Sequence, residues 1–206
     1  MSVLTFPSLK PSALEFGLRA RTQSFQSALT ASTQTIRMIG AYWYGSMSFS
    51  NLVETDARLI QAFLVSLEGQ HGRFYFGDVS NETSKGYMGG RSETVRVNGA
   101  SQTGGSLIVD GLPNSQTVFK AGDMIQFTGG NSGRELKMIT ADATSNGSGQ
   151  ATLAIKPNIR SSPANDAQIT YANTTCIMRL VGDNEGAWNV KPPILSAFSI
   201  GFIEAI

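Results

Sequence analysis

A chain of 206 residues can form one large domain or two small ones and can bury roughly 70% of the surface its unfolded form exposes, so no disulfide or metal is needed to hold a core. Hydrophobic residues make up 41% of it and charged residues only 15%, against a typical ~25%; Ser, Thr, Asn, Gln and Gly fill the gap. The net charge of +1 and the scattered Lys and Arg argue against a general nucleic-acid binder, which needs clustered cations, and so weakly charged a surface does little to keep copies apart.

The first segment reads as strands. Ser24–Leu29 and Gln34–Met38 flank the polar turn Thr30-Ala31-Ser32-Thr33 and predict a hairpin. In Tyr42-Trp43-Tyr44-Gly45-Ser46-Met47-Ser48-Phe49-Ser50, Met47 and Phe49 alternate with serines, the period of a half-buried strand. A helix is expected near 55–68, with Thr55 or Asp56 as its N-cap, Leu59, Ile60, Phe63, Leu64 and Leu67 as its apolar stripe, and Gly69 at its end. Arg73-Phe74-Tyr75-Phe76-Gly77-Asp78 follows as a short aromatic strand and turn.

Near Lys85–Gly90 the composition changes, and from there to about Thr175 aromatics give way to Gly, Asn, Ser and Thr. Strands are expected at Thr94–Val97, Ser106–Val109, Met124–Phe127, Glu135–Ile139, Ala151–Ile155 and Ala167–Tyr171. Turns are expected at Lys120–Asp123, Gly129–Gly133 and Ser145–Gly149. After the break at Pro192-Pro193, Phe198, Ile200 and Phe202 form one bulky face of a last strand. That face needs the first segment as its partner. The expected fold is therefore mainly β with one helix: a split, β-sandwich-like belt domain of residues 1–88 and 176–206, with residues 89–175 as an inserted small β-barrel, OB-like or galectin-like.

Catalytic chemistry finds few carriers. His71 is the only histidine and sits just after a helix end, where a polar turn residue is the plainer reading. Cys176 lies in the apolar run Cys176-Ile177-Met178, as a buried small hydrophobe would, and cannot form an internal disulfide. One His and one Cys rule out the usual zinc sets, so no catalytic, cofactor-binding or metal residue is expected. The loop Asp142-Ala143-Thr144-Ser145-Asn146-Gly147 has some features of a calcium loop. Its weak third position and Leu153 at the twelfth make a hairpin turn the better reading. No run of about 18 apolar residues predicts a membrane-crossing helix, and Met1–Lys10 does not read as a signal peptide, so synthesis in a reducing cytoplasm is expected. The remaining feature is aromatic. Tyr42, Trp43 and Tyr44, and Phe74, Tyr75 and Phe76, are candidate interface residues, because consecutive aromatics on a strand point to both faces.

Several segments carry a resemblance. They are Phe6-Pro7-Ser8-Leu9-Lys10-Pro11-Ser12, Phe74-Tyr75-Phe76-Gly77-Asp78, Ser101-Gln102-Thr103-Gly104-Gly105-Ser106-Leu107 and Phe119-Lys120-Ala121-Gly122-Asp123-Met124-Ile125-Gln126. Asp110-Gly111-Leu112, Asp142–Ile155 and Pro157–Ala164 extend the pattern over most of the chain. In these the sequence resembles the distal tail proteins of long, non-contractile-tailed bacteriophages. The resemblance implies a β-rich belt domain with a helix, forming a ring of six copies between tail tube and tail tip, with a small β domain of barrel or galectin-like type. It implies no enzyme and no cofactor. The partners would be further copies of the chain, the tail-tube protein, and the tail-tip hub and tape-measure proteins, and the location would be the virion. Three other readings compete: a tail-tube or terminator subunit, a carbohydrate-binding host-recognition module, and an enzyme such as a wall hydrolase, which the single His and single Cys weaken. The second needs an exposed aromatic platform, and Phe119, Phe127 and Tyr171 of the insertion read as core positions.

Overall fold

The computed structural model describes residues 2–130, 133–191 and 195–206. The predicted break at Pro192-Pro193 and the centre of the predicted Gly129–Gly133 turn lie outside them. The protein is mainly β, with one α-helix among the described residues. In chain order come β1 (Leu4–Thr5), β2 (Ala13–Arg19), β3 (Thr22–Gln26), β4 (Thr33–Arg37), β5 (Tyr42–Leu52), α1 (Glu54–Leu67) and β6 (Phe74–Phe76). Then follow β7 (Val95–Val97), β8 (Gly104–Asp110), β9 (Thr117–Phe119), β10 (Met124–Gly129), β11 (Gly133–Ile139) and β12 (Ala143–Thr144). The chain ends with β13 (Ala151–Ile159), β14 (Gln168–Ile169), β15 (Cys176–Leu180), β16 (Trp188–Lys191) and β17 (Leu195–Glu204).

Two compact units result, one built from Pro7–Arg73 and Met178–Ile206, the other from Val3–Phe6 and Phe74–Ile177. The sequence places the entry to the insertion at residue 89, whereas the second unit already starts at Phe74. Buried groups explain the difference. Met88 belongs to the second unit's apolar core, and the buried Asp123 carboxylate accepts hydrogen bonds from the Ser84 hydroxyl and, at 2.7 Å, from the Lys85 amide.

In the first unit, antiparallel strands run in the order β15-β17-β5-β2, and β16 also pairs with β17. The alternation read from sequence places one face inside. Trp43, Met47 and Phe49 of β5 and Phe198, Ile200 and Phe202 of β17 are buried. Register sets Phe198 opposite Phe49, Ile200 opposite Met47, and Phe202 opposite Gly45. A Cβ on Gly45 would come within 2.7 Å of the Phe202 ring, so space alone requires glycine there. From β2, Phe16 stacks on Trp43 at 5.3 Å.

Helix α1 packs against β17 and buries Ala57, Ile60, Phe63, Leu64 and Leu67. Leu59, expected in the stripe, is exposed, and Ala57 takes its place on the buried face. The predicted cap is also displaced. Val53 stands at the N-cap without a side-chain bond, and Glu54 and Asp56 instead lie in the first turn, where carboxylates favour the helix dipole. Glu68, ahead of Gly69, already takes the left-handed conformation that ends the helix.

The second unit holds a six-stranded antiparallel sheet in the order β10-β11-β13-β8-β7-β14. Reciprocal 2.8 Å hydrogen bonds between Gln126 and Thr170 bring its two edges together, so the sheet is a nearly closed barrel. All six strands expected in this region are present. Two short ones, β9 and β12, were not expected; they pair with each other. Val95, Val97, Leu107, Val109, Ile125, Phe127, Leu153 and Ile155 fill the core. Glu135 and Lys137 face the same interior, since they pair across the ladder with Phe127 and Ile125. They form a fully buried ion pair of 2.6 Å. Glu135 also accepts the amides of Arg160 and Ser161, and Lys137 donates to the Asn158 carbonyl.

Two substitutions probe the two units separately. Phe202→Ala should cost about 3–5 kcal/mol by opening a cavity in the first unit. Lys137→Ala should cost a similar ~3–5 kcal/mol by leaving the Glu135 charge buried, and Glu135→Leu with Lys137→Met should recover most of it. Urea unfolding curves for the three variants check both expectations.

Candidate functional site

The surface offers a feature that the aromatic signal did not point to. Strands β3 and β4 pair only with each other, forming a two-stranded hairpin. Their register places Gln23 opposite Ile36 and Phe25 opposite Gln34, so Phe25 and Ile36 share one face. The other face carries Thr22, Ser24, Gln26, Thr33, Thr35 and Arg37. The tip is closed locally: Ser27 exchanges backbone hydrogen bonds with Ala31 and Ser32, and its hydroxyl accepts the amides of Leu29 and Thr30. With this tight loop, β3 lies two to three residues before its predicted bounds and β4 one residue before.

The hairpin is amphipathic, yet its apolar face is mostly exposed. Phe25 is 67% exposed and Ile36 65%, while Leu29 at the tip and Ile39 at the base are each 96% exposed. Isolated hairpins are at best marginally stable in water, and exposed apolar groups of this size usually mark an interaction surface. From Phe16 to Val53 the chain contains no Asp or Glu, but it carries Arg19, Arg21 and Arg37. Among the described residues none of these three forms an ion pair.

The six candidate aromatics divide by strand parity. Trp43, Phe74 and Phe76 are buried and serve the cores of their units. Phe6 packs edge-on against Phe76 at 5.5 Å and also lies against Phe74. Tyr42, Tyr44 and Tyr75 point the other way and are half-buried. The Arg134 guanidinium lies 4.0 Å over the Tyr75 ring, so one face of that ring is already covered. Half of the six, buried in the cores, have no surface to offer a partner.

The residues weighed for chemistry are placed as follows. His71 is exposed at the end of a single 3-10 turn. Cys176 is fully buried, with its sulfur 3.7 Å from the Phe76 carbonyl. The Asp142 carboxylate accepts hydrogen bonds from Lys120 Nζ at 2.7 Å and the Ala121 amide at 2.9 Å; these bonds hold its pKa below the usual carboxylate range. Asn146 Oδ1 accepts the amides of Ser148 and Gln150, so this loop is a closed turn whose oxygens are engaged within the protein. Among the described residues no three His, Cys, Asp or Glu side chains converge as metal ligands. Phe119, Phe127 and Tyr171 are buried, and none of them can serve as a sugar platform.

No protein-family model and no curated protein matches the chain. The hairpin was itself predicted from sequence. Its exposure could not be, because alternation reveals an apolar face without revealing what covers it. The burial of Cys176 gives a direct check: thiol reagents should leave it unmodified in the native protein and label it fully in denaturant, as mass spectrometry would read.

Proposed function

We propose that this chain is a structural protein of a phage tail, forming a ring of six copies at the distal end that joins the tail tube to the tail-tip hub and tape-measure proteins. The observation that carries the self-assembly is the exposed amphipathic hairpin. Burying a Phe, Leu or Ile side chain is worth about 1.5–3 kcal/mol, so its large apolar groups offer a strong incentive to associate. A hairpin that docks on a different surface of a second copy makes a heterologous contact, and repeated heterologous contacts close into rings when the rotation allows. The weak overall charge puts little repulsion in the way. The distal-tail assignment rests on the resemblance of segments such as Phe74–Asp78 and Phe119–Gln126. A mainly β chain with one helix and a small barrel agrees with the architecture that this resemblance implies.

Native mass spectrometry across a concentration series should detect a closed oligomer, expected to contain six copies, and electron microscopy should image it as a ring. Replacing Arg21–Met38 with a short Gly-Ser turn should abolish the oligomer. Thermal unfolding should change by only a few degrees, because the hairpin pairs with no other strand. A wild-type protein that stays monomeric at every concentration, with no ring in assembled tails, would refute the reading.

A further inference from the structure

We infer that the hairpin of one copy docks in a groove on the first unit of the next copy, between the end of α1 and the turn before β16. This rests on the ring reading above and names its contact. The groove is an open depression of about 590 Å³, lined by residues 64, 65, 68 and 69 on one side and 183–188 on the other. Its apolar surface comes from Val65 and from Trp188, which is 47% exposed in the isolated chain. Its rim is acidic, with Glu68, Asp183 and Glu185 all lining it. Two of these carboxylates are held in place by the fold, since Asp183 accepts the Gln70 amide at 3.0 Å and Glu185 the Gly201 amide at 2.6 Å. Among the described residues none of the three pairs with a cation.

The hairpin is the complementary object. It carries exposed Phe25, Leu29, Ile36 and Ile39, with Arg21 at its base, Arg37 on its polar face and Arg19 at the end of β2 before it, and no acidic residue. Arginines without carboxylates thus match carboxylates without cations, and uncovered apolar side chains lie in the same segment as the first and in the same groove as the second. Within one chain the hairpin is exposed along its length, so it does not fill the groove of its own copy. A second copy of the chain supplies the missing partner. Charge complementarity of this kind steers the encounter and fixes which patch meets which, while the apolar groups hold the contact. Salt should weaken it.

The test uses full-length protein. Arg21→Glu with Arg37→Glu reverses these two cations, and Glu68→Lys with Asn184→Lys cancels the groove's acidic charge and places two cations on its rim; all four positions are exposed. Each double variant should raise the concentration needed for assembly about tenfold or more, and the quadruple variant should recover assembly. Trp43 is already buried, so a fall in iodide quenching of tryptophan fluorescence on assembly reports Trp188. Wild-type rings in which quenching is unchanged, charge variants that assemble as the wild type does, or a quadruple variant that fails to recover would each overturn the inference and leave the ring reading standing. A wild-type chain that never assembles would overturn both.

Discussion

The antiparallel ladder between β5 and β17 is the constraint on which the first unit depends. It joins a strand from the early part of the chain to the last strand, and its register decides which side chains form the core. Phe198 meets Phe49 and Ile200 meets Met47, while Phe202 fills the space that Gly45 leaves open. One face of this ladder is apolar from Phe198 to Phe202, so a slip of one residue would turn those side chains to solvent, and the helix stripe of Ile60, Phe63, Leu64 and Leu67 would lose its partner. A buried glutamate completes the arrangement: Glu204, near the end of β17, accepts the Trp43 amide at 3.0 Å.

The same ladder makes room for the second unit. Because the first unit closes through strands far apart in sequence, the chain can leave after Arg73 and return at Met178 without breaking its core. The departure and return points are tied together, since Arg179 donates a 2.7 Å hydrogen bond to the Gln70 side chain. Joining the ends of a long excursion adds little entropic cost once such a bond holds them, because loop entropy grows only slowly with length.

The two units treat exposed backbone edges and apolar faces differently. The barrel nearly closes on itself through Gln126 and Thr170, which removes the unpaired edges that would invite other strands. Its interior even accommodates a charge pair, Glu135 and Lys137, with backbone groups of Asn158, Arg160 and Ser161 satisfying the remaining polar atoms. The first unit instead leaves a whole hairpin uncovered, with apolar side chains and arginines outward. In one unit the sheet is self-sufficient, and in the other the hairpin's apolar side chains stay exposed. That contrast directs the assembly reading to the first unit.

Much of this was legible from residues alone. Alternation marked β5 and β17 and their inward faces, helical spacing marked α1, and turn chemistry marked the strands of the barrel, because each is a local pattern repeating with the period of its own backbone. What escaped the sequence depended on neighbours distant in the chain. Leu59 has helical spacing but no wall to pack against, and Met88 looks like the end of a segment until the barrel core receives it. Trp43, Phe74 and Phe76 could have been interface or core by composition; strand parity combined with the opposing layer placed them in the core. Glu135 and Lys137 read as an ordinary polar strand, and only the ladder with Phe127 and Ile125 turned them inward. The sequence determined which faces are apolar. Tertiary structure alone decided which of those faces is covered, because coverage depends on what other elements bring opposite, and it left the hairpin between Leu18 and Ile39 open.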